Sequence, residues 1–425
     1  MLSTEENVLL TSTSRGTPMG ELLRRYWHPV AAATEFDEQR TKAVRLLGED
    51  LVLYKDRSGS YGMLERHCPH RRADLSYGYV EECGLRCSYH GWAFDAEGNC
   101  TSQPFEDVQH ENRRFRDSIK ARAYPVQELA GLVFCYLGPQ PAPLCPNWEL
   151  FTYENGFRQI VLAEVDCNWL QCAENNIDPV HFEWLHNNWA LEQLGRFSKG
   201  ERAAAHVRIG IDEWEYGFGY KRILENTDET SPLWTQPRLH MMPNLFMPGG
   251  THFEYRVPVD DTHTLSVVWS YEPVPLEQRP YVQEKIPHWY AEITDPVTGR
   301  WINTHVINQD TIAWVGQGRL ADRENEHLGA SDLGVRMFRK QLLSDLAAIA
   351  EGRDPMGIVR DPEKNSPVRW PDDRRLLMEK GLPKKEWLQR REQRPDSPRP
   401  ADDYFAFYAG QPPEVRKAYE EAMGI

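Results

Sequence analysis

The stretch HCPHRRADLSYGYVEECGLRCSYHGWAFD, residues 67–95, decides how the chain is interpreted. It contains a Cys-x-His pair, Cys68 and His70, followed after sixteen residues by a Cys-x-x-His pair, Cys87 and His90. Thiolate and neutral imidazole are both ligands for transition metals. Two cysteines and two histidines on two hairpin-like loops can therefore hold one metal assembly.

Two metal assemblies take this ligand set. Zinc binds two cysteines and two histidines in a tetrahedron. A Rieske [2Fe–2S] centre places the two cysteines on one iron and the two histidines on the other. Zinc sites of this composition usually keep the cysteines together and the histidines together. Here each loop contributes one of each, so each loop can reach both irons, and the spacing favours the cluster.

These four residues resemble the Rieske motif, and HGWAFD at residues 90–95 is similar to the segment that follows the second histidine in ring-hydroxylating oxygenases. Arg72 stands where many relatives have glycine, but that position is not a ligand. A Rieske centre alone would make an electron carrier, which needs only a small domain. The rest of this 425-residue chain must have another task.

A second cluster lies in CNWLQCAENNIDPVHFEWLHNNW, residues 167–189, where His181 and His186 are five positions apart. Non-haem Fe(II) enzymes that activate O2 use two histidines and one carboxylate on one face. Positions five apart differ by about 140° on a regular helix, so the helix must be irregular. A π-bulge or a junction between two helices would supply the irregularity. At Asp178-Pro179, we predict that one helix ends near Ile177 and a second begins at Pro179.

Asp178 allows two roles. It can simply cap the following helix, or it can accept a hydrogen bond that orients His181. The segment resembles the Asp-x-x-His-x(4)-His stretch of Rieske oxygenases. The resemblance implies that Asp178 is catalytic, because it would connect His181 to His90 of a neighbouring subunit. It also implies a homotrimer or a hexamer of stacked trimers.

The third iron ligand must come from a downstream acid. The segment INQDTIAWVGQG resembles the family stretch in which the ligand aspartate is followed by apolar residues of the active-site wall, which favours Asp310. Asn308 and Gln309 are expected to line the wall or to orient a ligand. The other candidate acids, mostly in a strongly charged run typical of a solvated face, are Asp322, Glu324, Glu326 and Asp332.

The fold class predicted is α+β, with a small all-β Rieske [2Fe–2S] domain and a larger catalytic domain built on an antiparallel sheet flanked by helices. We predict an N-terminal helical segment over 1–40 packed on the catalytic domain, a Rieske domain over 41–146, and a catalytic mononuclear iron domain over 147–425. The proline-rich stretch 138–146 predicts the boundary. The tail from about 361 is expected to wrap over the surface.

The net charge of −15 argues against a general nucleic-acid binder, because phosphate binding needs a basic surface. No apolar run reaches the length of about 18–20 residues needed to cross a bilayer, and no signal peptide is recognisable. The chain is therefore expected to be cytoplasmic. Cys83 falls outside the ligand pattern and is expected to be structural, like the other non-ligand cysteines.

The cofactors implied are one Rieske [2Fe–2S] cluster and one mononuclear Fe(II). No glycine-rich dinucleotide fingerprint is present, so a separate reductase of flavin or ferredoxin type should bring electrons from NAD(P)H. The chain looks most like the phthalate dioxygenase group. This implies a terminal oxygenase that hydroxylates an aromatic carboxylic acid with O2, by ring dihydroxylation. The alternatives are a monooxygenase acting on an aryl ether and a pure electron-transfer protein.

An aromatic carboxylate would need a cationic anchor in the pocket, for which Arg208, Arg222 and Arg256 are candidates. Candidate pocket residues are Asn175, Asn176, Leu185, Met241, Met247, Val306 and Trp314.

Overall fold

The structure, a computed structural model, describes residues 1–109, 114–372, 374–375, 380–392 and 406–425. The strands are β1 (Trp27–Ala32), β2 (Thr41–Leu46), β3 (Glu49–Lys55), β4 (Tyr61–Glu65), β5 (Tyr79–Val80), β6 (Leu85–Arg86), β7 (Ala93–Phe94), β8 (Cys100–Ser102), β9 (Ala123–Tyr124), β10 (Val126–Leu129), β11 (Leu132–Tyr136), β12 (Gly156–Val165), β13 (His206–Trp214), β14 (Gly217–Leu224), β15 (Arg238–Met241), β16 (Leu245–Met247), β17 (His252–Asp260), β18 (His263–Pro273) and β19 (His288–Tyr290).

The α-helices of the described residues are fewer than the strands, and the longest of them is Leu333–Ala350. They are α1 (Thr4–Thr11), α2 (Pro18–Leu23), α3 (Glu106–Gln109), α4 (Arg114–Asp117), α5 (Trp169–Asn175), α6 (Trp189–Gln193), α7 (Pro232–Thr235), α8 (Val306–Gly316), α9 (Leu333–Ala350), α10 (Lys384–Glu392) and α11 (Pro413–Met423).

The Rieske end of the chain contains two four-stranded antiparallel sheets, ordered β2-β3-β4-β9 and β5-β6-β7-β8. The β2–β3 hairpin turns at Leu47 and Gly48, both with positive φ, the conformation that a two-residue hairpin requires. The small all-β domain expected from the strand and turn pattern is confirmed. Its second sheet carries the loop from Cys87 to His90 between β6 and β7.

The catalytic end is built on one eight-stranded sheet, ordered β13-β14-β15-β16-β17-β18-β12-β19. Its pairs are antiparallel except that of β12 with β19. The α+β class is therefore confirmed. Helix α9 matches the amphipathic segment expected from the sequence and ends before Gly352, whose φ of +76° suits a residue just beyond a helix.

The N-terminal segment divides between the two ends of the molecule. Helix α1 contacts α2 and α5, and the side chain of Asn168 donates to the carbonyl of Thr11 at 2.9 Å. Strand β1 instead pairs with β11, in a three-stranded sheet completed by β10. The predicted boundary at residue 40 stays a prediction, but β1 shares its sheet with strands from the predicted Rieske segment.

The C-terminal segment was expected to wrap over the surface, and its residues 361–364 are exposed, while several of its aromatic side chains are buried. Trp370, Trp387 and Tyr408 are buried. Trp387 packs in one cluster with Phe157 of β12 and Met423 of α11. The proline and charge content of this tail gave no sign of these buried aromatic contacts, and the expectation that the segment wraps over the surface stays a prediction.

Cys83 is exposed and the other seven cysteines are buried, and the structural role expected for Cys83 stays a prediction. The described residues contain no helix long and apolar enough to span a membrane.

Candidate metal centres

The four ligand candidates of the first cluster lie on two facing loops. Cys68 and Cys87 are buried, whereas His70 and His90 are exposed. The rings of His70 and His90 lie 4.6 Å apart between centroids. Trp92 stacks on His70 at 4.3 Å and 7°, which fixes the plane of that imidazole. The thiols therefore face the domain interior and the imidazoles face its outer edge.

Each loop contains a backbone hydrogen bond that returns to the carbonyl of its own cysteine. The carbonyl of Cys68 accepts a hydrogen bond from the N–H of Arg72, and the carbonyl of Cys87 accepts one from the N–H of Gly91. Both donors have positive φ, +60° at Arg72 and +76° at Gly91. Arg72 therefore holds a backbone conformation that glycine would adopt without strain.

The donor set fits a two-iron cluster better than a single ion. Burial raises the pKa of the Cys68 thiol to about 12, and the neighbouring Cys87 thiol adds to the shift, so two thiolates here need bound positive charge. In the described part of the chain, only one group of three or more such side chains converges tightly enough for one ion, and it lies elsewhere. The four residues thus do not converge on a single point, as a tetrahedral zinc site requires.

That converging group is His181, His186 and Asp310, whose ligand atoms all lie within 4.8 Å of one another. Oδ1 of Asp310 lies 3.2 Å from Nε2 of His186 and 3.7 Å from Nε2 of His181. Asp310 comes from α8, so the structure brings the downstream acid to the histidine pair. Of the acids not chosen, Asp322 and Glu324 are exposed.

The helical geometry explains the spacing of five. Helix α5 ends at Asn175, turns follow, and residues Phe182–Asn188 form a π-helix. A π-helix bonds each residue to the fifth along the chain, so it brings positions five apart to one side. The predicted break therefore exists, but its bounds differ from those expected. The earlier helix ends two residues before Ile177, and the next begins after Pro179 because Asp178 closes a local turn onto the N–H of Val180 at 2.8 Å.

Each of the two histidines is oriented by a hydrogen bond at its Nδ1 atom. Nδ1 of His181 lies 2.8 Å from the backbone carbonyl of Asp178, whose carboxylate is farther away at 3.7 Å. Nδ1 of His186 lies 3.0 Å from Oε1 of Gln309, and Nε2 of the same glutamine donates to the carbonyl of Asn303 at 2.9 Å. Because a carbonyl can only accept, the Nδ1 of His181 is the donor. Its Nε2 then presents a lone pair to the centre of the group.

At the centre of this triad, one carboxylate oxygen has no hydrogen-bond donor among the described residues. Oδ1 of Asp310 is buried and has no hydrogen-bond partner in the described residues. Although burial opposes ionisation, His186 and His181 keep the pKa of Asp310 below its usual value. Burial lowers the pKa of His181, so its neutral form is favoured. A carboxylate oxygen facing imidazole lone pairs is unfavourable unless a cation lies between them. The residues therefore fit a bound divalent iron.

A cavity of about 1080 Å³ opens beside this triad. Of the candidate pocket residues, Asn175 and Val306 line it. The other five lie outside its lining: Asn176, Leu185, Met241, Met247 and Trp314. Lining residues that the sequence analysis missed include Phe182, His252 and Phe407. Phe182 was next to a recognised ligand, but nothing in the sequence placed Phe407 at the site.

None of the three candidate arginines lines the cavity. Arg208 is exposed and pairs with Glu229, while Arg222 is buried and pairs with Glu183 at 3.1 Å. Arg256 is buried, pairs with Glu254 and donates to Oγ of Ser266. These guanidinium groups compensate buried or neighbouring carboxylates.

Three cations line the cavity, and of these Arg238 on β15 is half-buried, whereas Lys380 and Arg390 are exposed. The guanidinium of Arg238 lies 4.0 Å from the centre of the Phe182 ring and 3.3 Å from the hydroxyl of Tyr220. Both neighbours also line the cavity. A guanidinium between aromatic groups is well placed to receive a carboxylate.

Asn308, the neighbour of Gln309, has a scaffolding role. Its amide donates to the carbonyl of Glu292 at 2.9 Å and accepts from the N–H of Ala409 at 2.8 Å. It therefore fastens the C-terminal segment to helix α8.

Comparison with known families gives two matches. The family described as the Rieske [2Fe-2S] domain matches residues 26–116, and the family described as the LigXa C-terminal domain matches residues 296–368.

Three curated relatives cover most of the chain. The chain is 49% identical to the 5,5'-dehydrodivanillate O-demethylase oxygenase subunit of Sphingobium sp., over 100% of this chain and 98% of that protein. It is 31% identical to the phthalate 4,5-dioxygenase oxygenase subunit of Pseudomonas putida, over 84% and 89%. It is 32% identical to the phenoxybenzoate dioxygenase subunit alpha of Ectopseudomonas oleovorans, over 82% and 87%.

Among solved structures, NdmA of Pseudomonas putida CBB5 with caffeine matches with a TM-score of 0.56 and 20% identity, over 78% of this chain and 93% of that one. At this identity the likeness concerns the fold alone.

Proposed function

The chain belongs to the Rieske non-haem iron oxygenases, as an oxygenase subunit with a [2Fe–2S] cluster and a mononuclear iron, and from this premise we propose that it demethylates a methoxylated aromatic acid of two linked rings. In this proposal the cluster ligands are Cys68, His70, Cys87 and His90. The iron ligands are His181, His186 and Asp310.

One observation carries the choice of reaction. Identity to the O-demethylase subunit is 49% over nearly the full length of both chains, against 31% and 32% for the two dioxygenase subunits. The cavity volume agrees, because about 1080 Å³ is at the upper end of the roughly 300–1,000 Å³ typical of small-molecule pockets. Such a cavity can accommodate two aromatic rings rather than one.

The reaction balances with reductant and O2 as co-substrates. The methyl ether, O2, two electrons and two protons give a phenol, formaldehyde and water. When bound, the iron and the cluster supply the O2 activation and the electron delivery.

The residues of the chain position the substrate and enclose the reaction. Phe407 offers an aromatic ring for packing, and Arg238, which lies over the ring of Phe182, offers a guanidinium for a carboxylate. His181, His186 and Asp310 line the same cavity, so the reacting methyl group can reach them.

Electrons come from a separate electron-transfer protein of flavin or ferredoxin type, which draws them from NAD(P)H. They enter at the exposed edge of the cluster domain, where His70 and His90 lie. In a ring of three subunits, the partly exposed carboxylate of Asp178 would connect the cluster of one chain to the iron of the next.

Ring dihydroxylation of an aromatic carboxylic acid is the second candidate. It is favoured by the two relatives named as dioxygenases, which each cover more than four fifths of the chain. Arg238 would serve as the carboxylate anchor in either reaction.

Product analysis separates the two. The purified chain is incubated with a compatible reductase, NADH, O2 and 5,5'-dehydrodivanillate. We expect one formaldehyde for each methyl group removed and each O2 consumed. The matched control substrate carries ethyl ethers, which should yield acetaldehyde instead. A ring diol without formaldehyde would reject demethylation and support the second candidate.

A further inference from the structure

Phe407 holds an unusual backbone conformation at the wall of the cavity. Its φ is +62°, and the N–H of Tyr408 donates to the carbonyl of Ala406 at 2.7 Å, which makes a γ-turn centred on Phe407. A bulky side chain rarely adopts this conformation, because its Cβ clashes with the backbone. Yet the Phe407 side chain lines the same cavity as the metal triad.

The turn is fastened at two points to the element that carries Asp310. The carbonyl of Phe407 accepts from the N–H of Ile307 at 3.1 Å. Two residues on, the N–H of Ala409 donates to the side chain of Asn308 at 2.8 Å. Ile307 and Asn308 both belong to α8. A strained backbone persists only where surrounding contacts determine it, and these contacts tie Phe407 to the helix of a metal ligand.

A second anchor comes from the sheet. Between the two residues that bond to α8, the buried Tyr408 donates a hydrogen bond from its hydroxyl to Oγ of Ser266 on β18 at 2.9 Å. The backbone of Phe407 is thus held by helix α8 and by the central sheet together.

The ring itself is supported from behind. It packs on the imidazole of His252, with the ring centroids 4.4 Å apart and the planes tilted by 42°. Nε2 of His252 lies 3.0 Å from Oε1 of Glu254, and Arg256 pairs with Oε2 of the same carboxylate. This buried network fixes the imidazole, and the imidazole fixes the phenyl ring. Only 6% of the Phe407 surface is exposed, and it adjoins the cavity.

We propose that Phe407 is a specificity-determining residue, which offers the ring on which the reacting aromatic ring of the substrate packs beside the triad. The inference rests on the proposed function, because it needs an aromatic substrate. Offset or edge-on packing of two aromatic rings adds affinity beyond the area that it buries. The strain at Phe407 then has a use, since an unstrained residue at this point of the chain would not direct its ring into the cavity in the same way.

The test uses two variants of the full-length enzyme. Both lack the phenyl ring, and they differ in backbone strain. Phe407→Ala removes the ring and leaves the positive φ, whereas Phe407→Gly removes the ring and relieves the strain. We expect Phe407→Gly to melt roughly 2–4 °C above Phe407→Ala. Both should lose roughly 10- to 100-fold in kcat/KM for the aromatic substrate.

A binding comparison separates packing on a ring from simple filling of space. Dissociation constants are measured without O2 for 4-methoxybenzoate and for its saturated analogue, 4-methoxycyclohexane carboxylate. We expect both variants to weaken binding of the aromatic acid more than binding of the saturated one. Phe407→Leu, which keeps bulk without a ring, should show the same loss of preference.

The proposal is overturned if Phe407→Gly regains the wild-type kcat/KM, because the backbone would then be the feature that matters. It is also overturned if the preference for the aromatic acid is unchanged in all three variants. These measurements use binding and O2 consumption, so they stand whichever product the wild-type enzyme forms. A wild-type enzyme that releases no formaldehyde would reject the demethylation and leave the test of Phe407 valid.

Discussion

The two candidate metal sites both contain imidazole ligands, but the surroundings of those ligands are opposite. In the cluster domain, His70 and His90 are exposed at the outer edge while the cysteines lie inside. In the catalytic domain, the side chains of His186 and Asp310 are only 3% and 7% exposed and adjoin a large cavity. A site that passes electrons between proteins must approach the surface. A site for O2 chemistry must keep bulk water away from the reacting groups.

The two sites also differ in how they are assembled. The candidate cluster ligands lie on two short loops, each closed by a hydrogen bond to the carbonyl of its own cysteine. The triad joins a π-helix to α8, and His186 meets Gln309 across 123 positions of sequence. Local construction makes the first site recognisable from its sequence and tolerant of neighbouring changes. Long-range construction makes the second site sensitive to distant ones.

The largest effect is expected from Asp310→Asn, which would break the triad and leave the cluster intact. An amide is a poor ligand where a buried carboxylate offsets the charge of the ion, so the mononuclear iron should be lost. Turnover should fall on the order of 1,000-fold or more. Metal analysis should give about two irons per chain in place of about three, with the visible spectrum of the cluster unchanged.

The control for that variant is Asp322→Asn, which alters an exposed carboxylate in the charged run. It should keep wild-type iron content and turnover. If Asp310→Asn kept the third iron, Asp310 could not be a ligand.

A smaller loss is expected from Asp178→Asn, which tests whether the two sites of neighbouring subunits communicate through this residue. His181 would keep its hydrogen bond to the backbone carbonyl of residue 178, so both metals should stay bound. Turnover should fall roughly 10- to 100-fold because electron delivery would slow. Single-turnover reduction of the catalytic site measures this directly, and normal turnover would exclude the bridging role.

Gln309→Leu should have a more modest effect, because it removes the group that orients His186 and leaves all three ligands. Iron affinity should fall roughly 10-fold, as is usual when a histidine ligand loses its supporting partner. The measurement is iron retention during dialysis against a chelator. Gln309→Glu keeps an acceptor for His186 but gives up the hydrogen bond to the carbonyl of Asn303, so it should retain iron better than Gln309→Leu does. Equal loss in both variants would mean that the hydrogen bond is irrelevant.

The smallest effect is expected in the cluster domain, from Arg72→Gly. Glycine suits the φ of +60°, but the variant gives up the exposed ion pair with Glu65 and makes the unfolded chain more flexible. These contributions are each about 1 kcal/mol or less and oppose one another. The free energy of unfolding should change by no more than about 1 kcal/mol, with the cluster spectrum preserved. Loss of the cluster would show that the arginine side chain holds the loop.

The sequence by itself determined the ligand chemistry and the fold class. The Cys-x-His and Cys-x-x-His pairs, the strand and turn pattern and the irregular spacing of His181 and His186 are all encoded within short segments. Metal preference and local backbone geometry depend on neighbours along the chain, so such segments can be interpreted alone.

Only the tertiary structure decided which residues contact the candidate ligands and which residues line the cavity. It placed Gln309 on His186, used Arg222 and Arg256 to pair with carboxylates, and brought Phe407 to the cavity. It also buried several aromatic side chains of a tail whose composition gave no sign of such contacts. These contacts join residues far apart in the sequence. They depend on how apolar side chains fill a shared core, which no local pattern specifies.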